Sequence, residues 1–125
     1  MAKINKELKY TQTHEWLKVE GNLAFVGITD YAQETLGSVV FVDLPSIGSS
    51  FDQKEAFGAV ESVKAASDLL MPISGRIIDV NQTPIDSPEV LNEDAFENWL
   101  IKIEILDSSE LKTLLSHNEY EKITH

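Results

Sequence analysis

Gly37-Ser38-Val39-Val40-Phe41-Val42-Asp43 is echoed by Gly75-Arg76-Ile77-Ile78-Asp79-Val80-Asn81. Both read glycine, a spacer, two β-branched residues, a spacer, valine, and then Asp or Asn. Upstream, Ala24-Phe25 answers to Ala56-Phe57 and Ile28 to Val60, and self-similarity of this kind argues for a duplicated β-rich unit. Ile28 to Gly37 spans nine positions and Val60 to Gly75 spans fifteen, so the second copy carries six more residues. Those residues surround Lys64. A turn between two strands has been lengthened around one side chain, which puts Lys64 at an exposed bend.

Outward from this centre the chain continues to read as short strands. Residues 39–44 are apolar, rich in β-branched side chains and ended by Pro45 and Gly48; residues 56–63 and 76–80 are similar. Residues 15–20 run into Gly21-Asn22, a two-residue hairpin signal before the apolar run 23–28. Thr29 or Asp30 then caps a short helix, with Gln33 three residues after Asp30 as a capping box requires and Gly37 closing it. Residues 82–92 hold Pro84 and Asp86-Ser87-Pro88 without periodicity, which predicts a surface connection. Trp99, Ile101, Ile103 and Ile105 fall on one face of a half-buried strand. Asp107 and Glu110 form a helix-start signature, Leu111, Leu114 and Leu115 give that helix its apolar stripe, and residues 118–123 add a last short helix.

At 125 residues the chain fits one domain, and 42% hydrophobic with 25% charged residues is the balance of an ordinary globular protein. No run approaches the roughly 18 apolar residues of a membrane span, and the start of the chain lacks a signal-peptide core, so a cytoplasmic protein is expected. The absence of cysteine excludes disulfides, thiolate metal sites and a cysteine nucleophile, so any redox chemistry needs a borrowed group. A net charge of −11 repels nucleic-acid phosphates and anionic lipid and favours basic protein partners. His14, His117 and His125 have no close His or Cys neighbour in sequence, which argues against a metal site, and no nucleophile-base pair or phosphate loop is present. The chain is therefore not expected to be an enzyme. A Schiff-base role for Lys64 would need a desolvated pocket or neighbouring cations, and the near charges are Glu61 and Asp68. An exposed lysine is usually just a solvated charge; among small residues at a hairpin tip it is also sterically open to acylation, so that an attached arm could swing.

Glu61-Ser62-Val63-Lys64-Ala65-Ala66-Ser67-Asp68 resembles the lipoylation motif of glycine cleavage H proteins, with Glu61, Ser62, Val63 and Ala65 framing the lysine. The resemblance extends through His14-Glu15-Trp16, Val26-Gly27-Ile28-Thr29-Asp30-Tyr31-Ala32-Gln33, Val39-Val40-Phe41-Val42-Asp43-Leu44-Pro45, Pro72-Ile73-Ser74-Gly75, Asn92-Glu93-Asp94 and Trp99-Leu100-Ile101-Lys102-Ile103. It implies a mainly β chain, a flattened β-barrel sandwich of the hammerhead-like lipoyl/biotinyl carrier type with short added helices. One lipoyl-carrier domain would span 1–125, with the lysine-presenting hairpin at about 56–80 and a C-terminal helical region at about 107–123.

It further implies lipoate held covalently at Lys64 as N6-lipoyllysine, and a monomeric aminomethyl shuttle. The implied partners are the pyridoxal-phosphate-dependent glycine decarboxylase, the tetrahydrofolate-dependent aminomethyltransferase, dihydrolipoyl dehydrogenase, and a lipoate ligase or a lipoyl/octanoyl transferase. Family members park the loaded arm in a surface cleft, for which the matching positions are Thr13, Glu15 and Asp68. The segment 94–99 is shorter than usual and lacks the family's Tyr and Gly before Trp99, and Thr83-Pro84 replaces a commoner apolar pair. The Asp-Lys-Ala turn of a 2-oxoacid dehydrogenase lipoyl domain and the methionines flanking a biotinyl lysine are both missing. A lipoyl relay that passes lipoate to other enzymes shares the same lysine, and an unmodified acidic interaction module would leave Lys64 bare.

Overall fold

The computed structural model of the chain describes residues 2–124, so His125 lies outside the described residues. In chain order the elements are β1 (Lys9–Tyr10), β2 (Glu15–Glu20), β3 (Leu23–Ile28), α1 (Asp30–Leu36), β4 (Val39–Asp43), β5 (Ser50–Phe51), β6 (Ala56–Ser62), β7 (Ala66–Leu70) and β8 (Gly75–Val80). α2 (Gln82–Asp86), α3 (Val90–Glu93), β9 (Ile101–Ile105), a 3-10 helix over Ser108–Thr113 and α4 (His117–Ile123) complete it. The architecture is an open, mainly β sandwich: a six-stranded sheet in the order β1-β2-β3-β9-β8-β5 against a three-stranded sheet in the order β4-β6-β7. Strand alternation explains the core between them. Leu17, Val26, Ile28, Val42, Val60, Leu69, Ile77, Ile101 and Ile103 all point inward and are buried together.

The two echoed stretches use one pattern to build both layers. The first runs from β3 in the larger sheet to β4 in the smaller, and the second runs from β6 in the smaller sheet to β8 in the larger. The Gly21-Asn22 hairpin forms as expected, with Glu20 opposite Leu23. At α1 the cap is Thr29, whose hydroxyl accepts from the Ala32 amide at 3.2 Å, while the Gln33 side chain turns to Asp30 rather than closing a capping box.

Besides that capping box, three expectations are corrected. Residues 82–92 are not a plain surface connection: α2 and α3 lie there, with Pro84 and Leu91 buried and Leu91 part of the main core. Helices of five and four residues are too short to repeat a 3.6-residue period, so no periodicity announced them. Trp99 does not share the face of Ile101. It precedes β9 and packs edge-on against Phe25, ring centres 5.2 Å apart, while Leu100 and Ile101 are buried consecutively and strand alternation begins only at Ile101. The leucine-striped helix is instead a 3-10 helix that ends at Thr113. Asp107 caps it as expected, but Leu115 exchanges both main-chain hydrogen bonds with Tyr10, at 2.9 and 2.8 Å, which consumes the groups an α-helix would need there. Ser116 then starts α4 with a full capping box.

Leu115 belongs to a second cluster, on the outer side of the six-stranded sheet, built from Leu8, Tyr10, Trp16 and Tyr120. Tyr10 and Tyr120 stack with ring centres 4.5 Å apart, and burial pushes the Tyr10 phenol up to about 12. The Tyr120 hydroxyl bonds His14 Nδ1 at 2.8 Å and Thr29 Oγ1 at 2.7 Å, so α4 is latched to the loop that precedes β2. Burial holds the His14 imidazole below its usual value. A histidine that binds its proton less well when folded withholds stability at acid pH and contributes it fully only above the unfolded value of about 6.5. The wild type should therefore lose melting temperature as pH falls below about 6.5, and His14→Asn, which keeps a residue tolerant of the positive φ of 70°, should lose that part of the slope. Melting curves of both chains between neutral and acid pH check it; parallel curves contradict it.

Candidate functional site: the Lys64 hairpin and the cleft beside Glu15

β6 and β7 pair antiparallel with Glu61 opposite Ala66, and the chain reverses over Val63 and Lys64. Ser62 and Ala65 close the turn through a main-chain bond of 2.7 Å. Inside it the Ser62 hydroxyl accepts from the Lys64 amide at 3.3 Å and the Ala65 amide at 3.1 Å, so two donors that would otherwise need water are satisfied locally. Ser62 is buried while Val63, Lys64 and Ala65 are exposed, which makes a stiff turn with an open tip. The Val63 amide also donates to the Ser38 carbonyl at 3.1 Å, tying the tip to the chain entering β4.

That entry is shaped by Gly37, whose φ of 79° and ψ of −152° lie in a region reserved for glycine. A Cβ at Gly37 would stand 3.5 Å from Lys64 Cε, so the stem of the lysine lies across a bare stretch of backbone. Asn92 holds this stretch in place. Its Nδ2 donates to the Gly37 carbonyl at 2.8 Å and to Gln33 Oε1 at 2.9 Å, and its Oδ1 accepts from the Val39 amide at 2.8 Å. Sequence reasoning gave Asn92 no role, because the three groups it bonds belong to positions more than fifty residues earlier.

Thr13 and Glu15 are brought together at the other end of β7. Glu15 is buried at the start of β2, and its carboxylate accepts from Thr11 Oγ1 at 2.7 Å, from the Thr13 hydroxyl, and from the Leu70 amide at 3.4 Å. Burial pushes its carboxyl up, and the hydroxyl bonds from Thr11 and Thr13 act in the opposite direction. Thr11, Thr13 and Leu70 also line a cavity of about 390 Å³ whose further walls include Lys54, Met71 and Leu114. Thr11 was missed from sequence; a hydroxyl four residues before a glutamate carries no signal of its own. Asp68 does not join the Glu15 cluster. It is exposed and, two residues before Leu70, shares Leu70's side of β7. At about 3.3 Å per strand residue, Asp68 lies on the order of 13 Å and Leu70 on the order of 20 Å along the chain from Lys64. The order is therefore lysine, exposed carboxylate, cleft with buried carboxylate.

Among the described residues no group of three His, Asp or Glu side chains is placed to hold a metal, and no helix is long and apolar enough to cross a membrane. A family model described as Glycine cleavage H-protein matches residues 8–125, which take in the Lys64 hairpin, the Glu15 cluster and Asn92. The chain belongs to the glycine cleavage H-protein family. Over 124 residues it is 49% identical to the glycine cleavage system H protein of Carboxydothermus hydrogenoformans, covering 98% of this chain and 95% of that protein. Over 113 residues it is 55% identical to the glycine cleavage system H protein of Alkaliphilus oremlandii, covering 90% and 89%. A crystal structure of a glycine cleavage system H protein from Mycobacterium marinum superposes with a TM-score of 0.87 at 36% identity, covering 95% of this chain and 97% of that one. H proteins are the carrier component of the glycine cleavage system, so the open tip at Lys64 is the feature of this chain to account for.

Proposed function

We propose that this chain acts as a single cytoplasmic carrier domain, a monomer bearing lipoate in amide linkage on Lys64, and that it ferries the aminomethyl group of glycine between the enzymes of the system. The observation that carries this reading is the stiff turn that presents Lys64, with the lysine stem laid across Gly37 and a cleft at the far end of the strand that leaves the turn. The residues fit the group: the amine is open to acylation, Leu70, Met71 and Leu114 offer apolar walls, and Thr13 with Glu15 behind it offers acceptors for a cationic nitrogen. Lipoate held there by Lys64 would supply a reducible disulfide able to carry a one-carbon amine.

The chain's own residues then bind and shield. Glu15, largely out of water, attracts a cation more strongly than a solvated carboxylate does, and Asp68 offers a second negative charge on the path from the tip. Thr11 and Thr13 orient the Glu15 carboxylate, and the apolar part of the wall, Leu70, Met71, Pro72, Leu114 and Leu115, limits the water around a group that water would hydrolyse. The partners this reading requires are glycine decarboxylase, the aminomethyltransferase, dihydrolipoyl dehydrogenase, and a lipoate ligase or lipoyl/octanoyl transferase. Catalysis sits in those proteins and their cofactors.

Intact mass of protein from its native host, with peptide mapping across Lys64, tests the attachment. The expected result is a lipoyl adduct at Lys64; a bare lysine that stays bare with a lipoate ligase, lipoate and ATP overturns the reading. For the cleft, Glu15→Gln and Asp68→Ala should each speed hydrolysis of the loaded arm by about tenfold, the worth of one charge-assisted hydrogen bond. Hydrolysis rates unchanged in both variants would remove Thr13, Glu15 and Asp68 from the arm's resting place.

A further inference from the structure

The outward face of the β4-β6-β7 sheet exposes two adjacent large apolar side chains on β4, where an exposed sheet edge would ordinarily be polar. Register explains how. Val39 lies opposite Ser62 and Phe41 opposite Glu61, so Val40 is an extra residue on β4 and forms a bulge. With regular alternation Val40 would point inward alongside Val42; the bulge instead leaves Val39 and Val42 buried and turns both Val40 and Phe41 outward, 53% and 51% exposed. Val63, 73% exposed, stands beside them at the hairpin tip, which is held to the β4 entry by its bond to Ser38. Asp43, Glu61 and Asp68 are exposed on the same side of the three strands. The two ion pairs among the described residues are Lys18–Glu20 and Arg76–Glu104, so none of these three carboxylates has a cation within reach.

We infer that this face, with Val40 and Phe41 on its edge strand β4, is the docking surface for the enzyme that acylates Lys64. The inference rests on the proposed carrier function and goes beyond it by naming the surface and the partner. Two arguments select that partner. An enzyme working on the end of a long arm meets its target far from the tip, but an acylating enzyme must bring an activated carbonyl into bonding distance of the Lys64 amine itself. There the amine forms the amide, the bond from acyl carbon to adenylate oxygen breaks, AMP leaves and the amine proton passes to solvent. The walls of that active site must therefore cover the hairpin tip, where Val63 adjoins the lysine, and the start of β4, which the Val63–Ser38 bond and the Phe41–Glu61 pairing bring alongside that tip. Charge makes the second argument: three carboxylates without a salt bridge, spread across the sheet beside an apolar edge, fit a partner with an apolar recess flanked by basic side chains.

The test is steady-state lipoylation of unmodified chain by a lipoate ligase with lipoate and ATP, varying the chain's concentration. Phe41→Ser and Val40→Ser should raise KM by about tenfold or more with kcat near the wild-type value, since they remove docking contacts and leave the amine untouched. Ile47→Ser, which removes a still more exposed apolar side chain from the loop after β4, should be lipoylated as the wild type is, and circular dichroism with melting curves shows whether each variant is folded. Wild type that remains bare sinks the carrier reading, and the inference falls with it. Lipoylated wild type together with an unchanged KM in both β4 variants sinks the inference alone. So does a normal KM for lipoylation combined with a defect in glycine cleavage, which would give the face to another partner.

Discussion

Lys64→Arg should stay folded and lose all lipoylation. Arginine keeps an aliphatic stem able to lie across Gly37, and the substitution is at an exposed turn position, where stability changes by no more than about 0.5 kcal/mol. Its guanidinium remains protonated under all ordinary conditions and is not a nucleophile toward an activated acyl group. The variant's mass should therefore be that of the bare chain after ligase, lipoate and ATP. Glycine-dependent release of carbon dioxide by the reconstituted system should fall to the level seen with the chain left out. Substantial activity in a folded Lys64→Arg chain would mean that the arm is carried elsewhere or that no arm is needed.

Gly58→Ala should be the most damaging small substitution in the sandwich. A Cβ there would stand 2.2 Å from the Asp43 carbonyl oxygen and 3.3 Å from the Asp43 carbonyl carbon, both main-chain atoms of β4. No side-chain rotation relieves such a contact. β4 must shift away from β6, and β4 is bound to β6 through Asp43 opposite Ala59 and Val42 opposite Val60. Overpacking a rigid interior costs about 1–3 kcal/mol, and a clash against backbone belongs at the top of that range. About 3 kcal/mol corresponds to a fall in melting temperature of roughly 10 °C in a domain of this size. Because β6 leads directly into the Lys64 turn and β4 carries Phe41, lipoylation should slow as well. A melting temperature within about 2 °C of wild type would show that β4 yields easily, with a cost well under 1 kcal/mol.

Much of this chain could be read without its coordinates, for reasons that differ from residue to residue. Strands are short local patterns, so the alternation over Glu15–Glu20 and the apolar run over Leu23–Ile28 each suffice to announce a strand, and Gly21-Asn22 between them announces the turn. The Lys64 bend was legible because six residues had been added to one copy of a repeated pattern. The residues proposed for the arm's resting place, Thr13, Glu15 and Asp68, were legible only through family resemblance; the coordinates place the first two in contact and Asp68 farther along β7 toward the tip.

The longer strands, the Gly21-Asn22 hairpin, the helix capped at Thr29 or Asp30, the last short helix and the lysine set at a tip are local features written in neighbouring side chains. Packing of distant segments buries Glu15, brings it the Leu70 amide from fifty-five residues away, and lets Asn92 hold Gly37 in a conformation no other residue adopts readily. It alone decided that Leu115 leaves a helix to pair with Tyr10, and that a bulge turns Val40 and Phe41 outward together. Each of those outcomes is settled by which distant main-chain donor or acceptor remains unpaired once the two sheets have closed, and that is a property of the packed chain and not of any stretch of it.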